Sequence, residues 1–146
     1  MNGYERARVL IGFRCLGIAQ AAYDAAFRYT QEREQFDRAI SEFQAVRFKI
    51  ADMAAELTAA RALAHAVAQT LDRGGRCDAE AGMVKLVCSE MAANVTKTAM
   101  LLHGGLGYAH ESDVNRYWRD GILMTVGEGT SDIQREVLAR SLYRNA

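Results

Sequence analysis

The clearest pattern lies in the middle of the chain. Phe43, Val46, Ile50, Met53, Leu57, Ala60, Ala64, Val67 and Leu71 follow one another at alternating steps of three and four. That spacing lays one apolar seam along a helix, as antiparallel bundles require. Gly74-Gly75 supplies its stop. Before it, Tyr4 to Arg33 carries few charges, and Arg14, Asp24 and Arg28 project to nearly one side. A helix with so narrow a polar stripe is expected to be covered on most of its circumference, by the bundle or by a second subunit or domain. A polar connection, Gln31 to Glu42, separates the two and holds Phe36 alone among charges.

A third helix is expected from Ala79 to His103, with Val84, Val87, Met91, Val95, Thr98 and Leu102 on one face. It ends at Gly104-Gly105-Leu106-Gly107. A shorter segment, Asp113 to Thr125, holds the only Trp. After Gly127-Glu128-Gly129-Thr130 a last helix runs to Tyr143, with Ser131-x-x-Gln134 as a capping box and Asp132 in its first turn. No segment alternates convincingly as a strand does. The prediction is an all-α, antiparallel up-down helical bundle of four long helices plus a short one, as a single domain over residues 1–146.

Composition sharpens this. Among 146 residues there is no proline, where usage of about 5% would give about seven; proline's absence suits long unbroken helices. Eighteen basic residues balance eighteen acidic ones, which argues against a nucleic-acid binder or a polybasic membrane-surface protein. Three cysteines without a C-x-x-C pair make a disulfide framework or a cysteine zinc site a poor expectation and a reducing compartment the default. The most apolar stretch, Val9 to Phe27, is broken by Arg14, Gln20 and Asp24, so no membrane span is expected. The N-terminus lacks the features of a signal peptide. A cytoplasmic location follows as the expectation, or the mitochondrial matrix for a eukaryotic source.

Four groups of residues could carry chemistry. The histidines, His65, His103 and His110, show no ligand spacing, and no Glu has His three residues later, so they read as polar or edge residues and no metal site is expected. Gly105-x-Gly107 opens like a dinucleotide fingerprint but has His110 at the third glycine and no preceding strand; it reads as a helix stop, or as a place where backbone approaches another group closely. Glu128 between two glycines is either a surface carboxylate favoured by a helix N-terminus or a general base on a loop. Arg33-x-x-Phe36 followed by Gln44 is either a solvated charge run with Phe36 folded back onto the core, or a clamp for a phosphate and a ring.

Taken together and in register, these pieces resemble the C-terminal helical domain of the acyl-CoA dehydrogenase family. The resemblance runs through Tyr29-x-x-x-Arg33-x-x-Phe36, Gln44, Ala51-Asp52-Met53, Lys85-x-x-x-Ser89-Glu90, Gly104-Gly105-Leu106-Gly107-Tyr108, Arg119-Asp120 and Glu128-Gly129-Thr130-Ser131-Asp132-Ile133-Gln134-Arg135. It implies a flavin enzyme that oxidises an acyl-CoA thioester to the 2,3-enoyl thioester, with a carboxylate taking the α-proton and the β-hydrogen leaving as hydride to FAD. Glu128 falls on the usual base position; the alternative position on the first helix is Ala7. Arg8 resembles the arginine near the substrate thioester. Arg33, Phe36 and Gln44 match positions that contact FAD, typically a neighbouring subunit's. Gly104 and Gly105 match a loop against the same part of the cofactor, and Thr130 and Asp132 match FAD contacts beside the base. A homodimer or homotetramer is implied, with electron-transferring flavoprotein as electron acceptor.

Three positions depart from the family pattern. Asp37 replaces a frequent Gly, Leu101 a frequent Gln, and Gly127 a frequent aromatic that would otherwise narrow the acyl pocket. The family's N-terminal helical and middle β domains have no counterpart in this sequence, so the isolated chain is expected to be inactive. A second reading, from a different class, is a non-catalytic helical oligomerisation or binding module derived from the family.

Overall fold

A computed structural model describes residues 2–144. Its helices are α1 (Asn2–Glu32), α2 (Gln44–Asp72), α3 (Asp78–His103), α4 (Gly105–Tyr108), α5 (Asp113–Leu123) and α6 (Ser131–Arg144). The fold is all-α, as the periodicity predicts. Three helices are long rather than four; α5 has 11 residues and α6 has 14.

Side-chain contacts fix the directions. Gly12 lies against Val84 near the starts of α1 and α3, and the Tyr29 and His103 rings stack at 4.2 Å near their ends, so these two helices run parallel. On α2, His65 meets Phe13 edge-on at 5.1 Å and Arg61 donates to Gln20 at 2.6 Å, so α2 returns antiparallel. Helix α5 runs back along α3, with Gly121 beside Ala92 and Thr96 and Thr125 reaching the level of Lys85. Helix α6 packs on α3 as well, and the Arg135–Glu90 ion pair ties the two at 3.2 Å.

The core explains why α3 is central. Cys15, Ala19, Ala22 and Ala26 of α1 and Ala81, Val84, Cys88, Ala92, Val95 and Ala99 of α3 are fully buried. Small side chains let two helix backbones approach closely, and at Gly12 an added Cβ would be driven into Val84. Close packing of this kind stabilises by dispersion and loses several kcal/mol when disturbed (about 1–3 for an inserted methyl). The α2 seam is buried from Met53 to Val67 and half-buried at Phe43, Val46, Ile50 and Leu71.

Several expectations are corrected. Val87, read as core, is 41% exposed, because the buried surface of α3 follows its small and polar residues. His103 is buried, not an edge residue; its Nδ1 lies 2.8 Å from the Ala99 carbonyl. The polar connection contains a minimal hairpin, β1 (Glu34–Gln35) antiparallel to β2 (Arg38–Ala39), followed by a 3-10 turn at Ile40–Glu42. The glycine-rich stop after α3 re-forms a single helical turn, α4. Along α1, Leu10 (68%) and Phe27 remain exposed, so this chain alone does not cover the helix all round. No helix among the described residues is long and apolar enough to cross a membrane.

Candidate functional site

The candidate residues divide between the two ends of the bundle. At the end where α1 stops and α2 starts, the hairpin turn is Phe36-Asp37, both with positive φ (55° and 61°). A two-residue hairpin turn with two positive φ values is type I′, which favours glycine at its second position. That is the physical reason for a Gly where this chain has Asp37. Phe36 does not fold back onto the core; it stands 86% exposed at the tip, 6.2 Å from Phe43 and edge-on to it. The Arg38 guanidinium lies 4.0 Å over the Phe43 ring.

Arg33 closes the base of this hairpin through its backbone. Its N–H donates to Tyr29 and its carbonyl accepts from Ile40, both at 2.8 Å. Its guanidinium is exposed and unpaired among the described residues, and so is Gln44 at the start of α2. Gly104, at the C-terminus of α3, takes φ 61° and ψ −137°, a conformation that suits glycine. A Cβ at Gly104 or Gly105 would meet nothing within 4 Å, whereas one at Gly107 would strike the Met100 carbonyl. The first two glycines therefore face open space, and the third is needed for packing.

At the opposite end, α5 runs into the loop 124–130. Glu128 is exposed and holds φ 57°. A non-glycine residue in this region is strained, and such strain clusters at functional sites. Its carboxylate forms no ion pair or hydrogen bond among the described residues. Ile122, Leu123, Val126 and Ile133, close to it in the chain, are 44–58% exposed, so this end carries exposed apolar side chains. At Gly127 a Cβ would meet only the Leu123 carbonyl, at an ordinary 3.7 Å, so the backbone there does not require glycine.

The capping box does not form. Gln134 turns back under the loop, and its Nε2 donates to the Glu128 and Gly129 carbonyls at 3.3 and 3.4 Å. Ser131 Oγ is buried without a partner. The cap is Thr130, whose Oγ1 accepts weakly from the Ile133 N–H at 3.4 Å. Asp132 accepts from Arg135 at 3.0 Å within the first turn of α6. The neighbouring side chains of Glu5 and Arg76, the latter donating at 3.0 Å, hold the Asp78 carboxyl below its usual range, and the charge of Arg8, half-exposed on α1 at this same end, adds to this. Arg8 and Glu128 make no hydrogen bond to each other.

Two residues tied to the loop entered the sequence reading only as parts of motifs, without a role at Glu128. Lys85 and Gln134 are both fully buried. The available signal was the position of Lys85 on the face of α3 that also presents Gly82 and Ser89, a cation inside an otherwise small and apolar surface. Among the described residues no group of His, Cys, Asp and Glu could hold a metal ion.

The whole of this arrangement matches one family model, described as "Acyl-CoA dehydrogenase, C-terminal domain", over residues 1–143. The chain belongs to the acyl-CoA dehydrogenase family. It is similar to YngJ of Bacillus subtilis, named a probable acyl-CoA dehydrogenase, with 47% identity over 140 residues, covering 96% of this chain and 37% of that protein. It is 38% identical over 144 residues to CarC of Acetobacterium woodii, a subunit of a caffeyl-CoA reductase–Etf complex, covering 99% of this chain and 38% of CarC. Among solved structures, butyryl-CoA dehydrogenase of Megasphaera elsdenii superposes with a TM-score of 0.94 at 35% identity, over 97% of this chain and 37% of that one. The chain thus spans well under half the length of these relatives.

Proposed function

We propose that this chain is the base-bearing helical part of an FAD-dependent acyl-thioester dehydrogenase, and that Glu128 removes the α-proton of the substrate. The observation that carries the reading is the state of Glu128: an unpaired, exposed carboxylate, strained in its backbone, tied from below by buried groups and flanked by exposed apolar side chains. A general base needs an accessible lone pair at a fixed position, and positioning contributes much of the rate. The acyl chain would lie along Ile122, Leu123, Val126 and Ile133, with Arg8 toward the thioester end. Gly127 leaves room there for a bulky acyl group.

The residues present fit FAD. Arg33 offers an unpaired guanidinium for a pyrophosphate, Phe36 an exposed ring, and Gly104 and Gly105 an open backbone approach. Thr130 and Asp132 would meet the cofactor on the base side. FAD, when bound, supplies the acceptor for the β-hydrogen. About twenty residues of α3 separate the two ends, roughly 30 Å of helix. The reading therefore assigns the two ends of one chain to two different FAD molecules, shared between copies in a homodimer or homotetramer. The isolated chain is then inactive. Etf, named in the complex that contains CarC, is the proposed electron partner.

The test is anaerobic mixing of the assembled flavoprotein with saturated acyl-CoA thioesters, following flavin absorbance. Wild type should bleach and Glu128→Gln should not. Bleaching of Glu128→Gln at the wild-type rate would overturn the assignment. A protein that cannot be loaded with FAD would instead indicate a non-catalytic helical module.

A further inference from the structure

The loop that carries Glu128 closes on one carbonyl. Thr125 O accepts the Ser131 N–H at 3.1 Å and the Lys85 ammonium at 3.3 Å. Lys85 reaches it from α3, 40 residues away in the chain, with no solvent exposure. Burying an ammonium is costly unless it is paired. Among the described residues Lys85 forms no salt bridge, and the exposed carboxylate of Glu90 that acts on it is itself engaged by Arg135. Burial accordingly pulls its pKa below the usual lysine range. Yet a hydrophobic side chain would suit this site better on packing grounds alone. What the amine does here is donate to the carbonyl at which the loop closes.

The loop needs such support. Glu128 at φ 57° persists only if its surroundings over-determine it. Two buried side chains reach the loop: Gln134 at the Glu128 and Gly129 carbonyls, and Lys85 at Thr125. We propose that Lys85 is a positioning residue for Glu128, fixing the closure of loop 125–131 from inside the bundle so that the carboxylate is held at one place. This rests on Glu128 being the base. Sealed from solvent, Lys85 touches neither substrate nor cofactor and acts only through the loop.

Lys85→Met keeps the length and apolar stem and removes the donor. In the assembled flavoenzyme it should slow flavin reduction at saturating acyl-CoA by about 10²-fold, the scale of a small misplacement. FAD content and KM should stay within about twofold. In a Glu128→Gln background the same change should add almost nothing, because both act at one point. A Lys85→Met enzyme at wild-type rate beside a slow Glu128→Gln enzyme would overturn this inference alone, as would losses that simply multiply. Wild-type rates in Glu128→Gln would overturn the base assignment, and this inference with it. Should Lys85→Met fail to assemble, hydrogen exchange of the chain carrying Lys85→Gln decides. The Ser131 amide should exchange at least about tenfold faster than in wild type; unchanged protection would overturn the proposal.

Discussion

The two ends of the bundle present their groups in different ways. At the hairpin end, Arg33, Phe36 and Gln44 are exposed and held by local chain: a two-residue turn, a backbone bond from the Ile40 N–H to the Arg33 carbonyl, and ring contacts within ten residues. At the loop end, Glu128 is also exposed, but the loop backbone is tied by two buried side chains, Gln134 at the Glu128 carbonyl and Lys85 at the Thr125 carbonyl. A large ligand gripped by several weak contacts tolerates a locally built arm. On the proposed reading, removal of one proton depends on one carboxylate at one position, and a connection to the core serves that better.

The contrast can be tested from its strongest consequence downward. Glu128→Gln should cost 10²–10⁴-fold in flavin reduction, roughly the range of general-base catalysis, with FAD content unchanged. Arg33→Ala should do the reverse, lowering FAD retention while each bound flavin still reacts within about threefold of wild type. Stopped-flow reduction and flavin content by absorbance separate the two. Equal effects of both substitutions on both readouts would break the division.

The core between the ends gives a pH prediction. Burial pushes the Cys15 thiol up to about 11 and Cys88 up to about 12. Their native forms hold protons more tightly than the unfolded chain does. Their contribution is complete below the unfolded value of 9.0 and is lost as pH rises toward 11–12. By pH 10 the pair should have lost about 3 kcal/mol. Buried Lys85, with its lowered pKa, works in the opposite direction up to its unfolded value of 10.5. Denaturant midpoints from pH 8 to 10 should fall in wild type and fall less in Cys15→Ala/Cys88→Ala, measured relative to each protein's own value at pH 8.

Smaller effects separate scaffold from contact at the hairpin end. Asp37→Gly relieves a positive φ and should stabilise the chain by about 0.5–1 kcal/mol, raising Tm by about 2–4 °C. Gly105→Ala should leave stability within about 0.5 kcal/mol, since a Cβ there meets nothing, yet weaken FAD retention in the assembled enzyme. Loss of stability in Gly105→Ala without loss of FAD would make this glycine structural.

The sequence was legible where one element answers to one period. The seam of α2 lies as spaced, and the absence of proline agrees with helices of 26–31 residues. Helix α3 was less legible, because its partner surface is Ala, Cys, Ser and Thr. A pattern read on large apolar residues selects Val87 and overlooks Ala92 and Ala99. Gln134 was misread because a capping box and a side chain turned back under a loop share the same local spelling, S-x-x-Q; only the Glu128 and Gly129 carbonyls decide between them. Phe36 was ambiguous because the turn that exposes it depends on backbone angles that neither Phe nor Asp signals.

On the proposed reading the ends of one chain serve two different cofactors, and mixing copies decides this. An assembled enzyme of Glu128→Gln chains and one of Arg33→Glu chains should each be inactive. Hybrids of the two contain one intact pairing of a wild-type base end with a wild-type hairpin end, and should recover activity at about half the wild-type level per dimer. Hybrids as inactive as their parents would mean that both ends of a chain serve the same cofactor or that the two groups are misassigned.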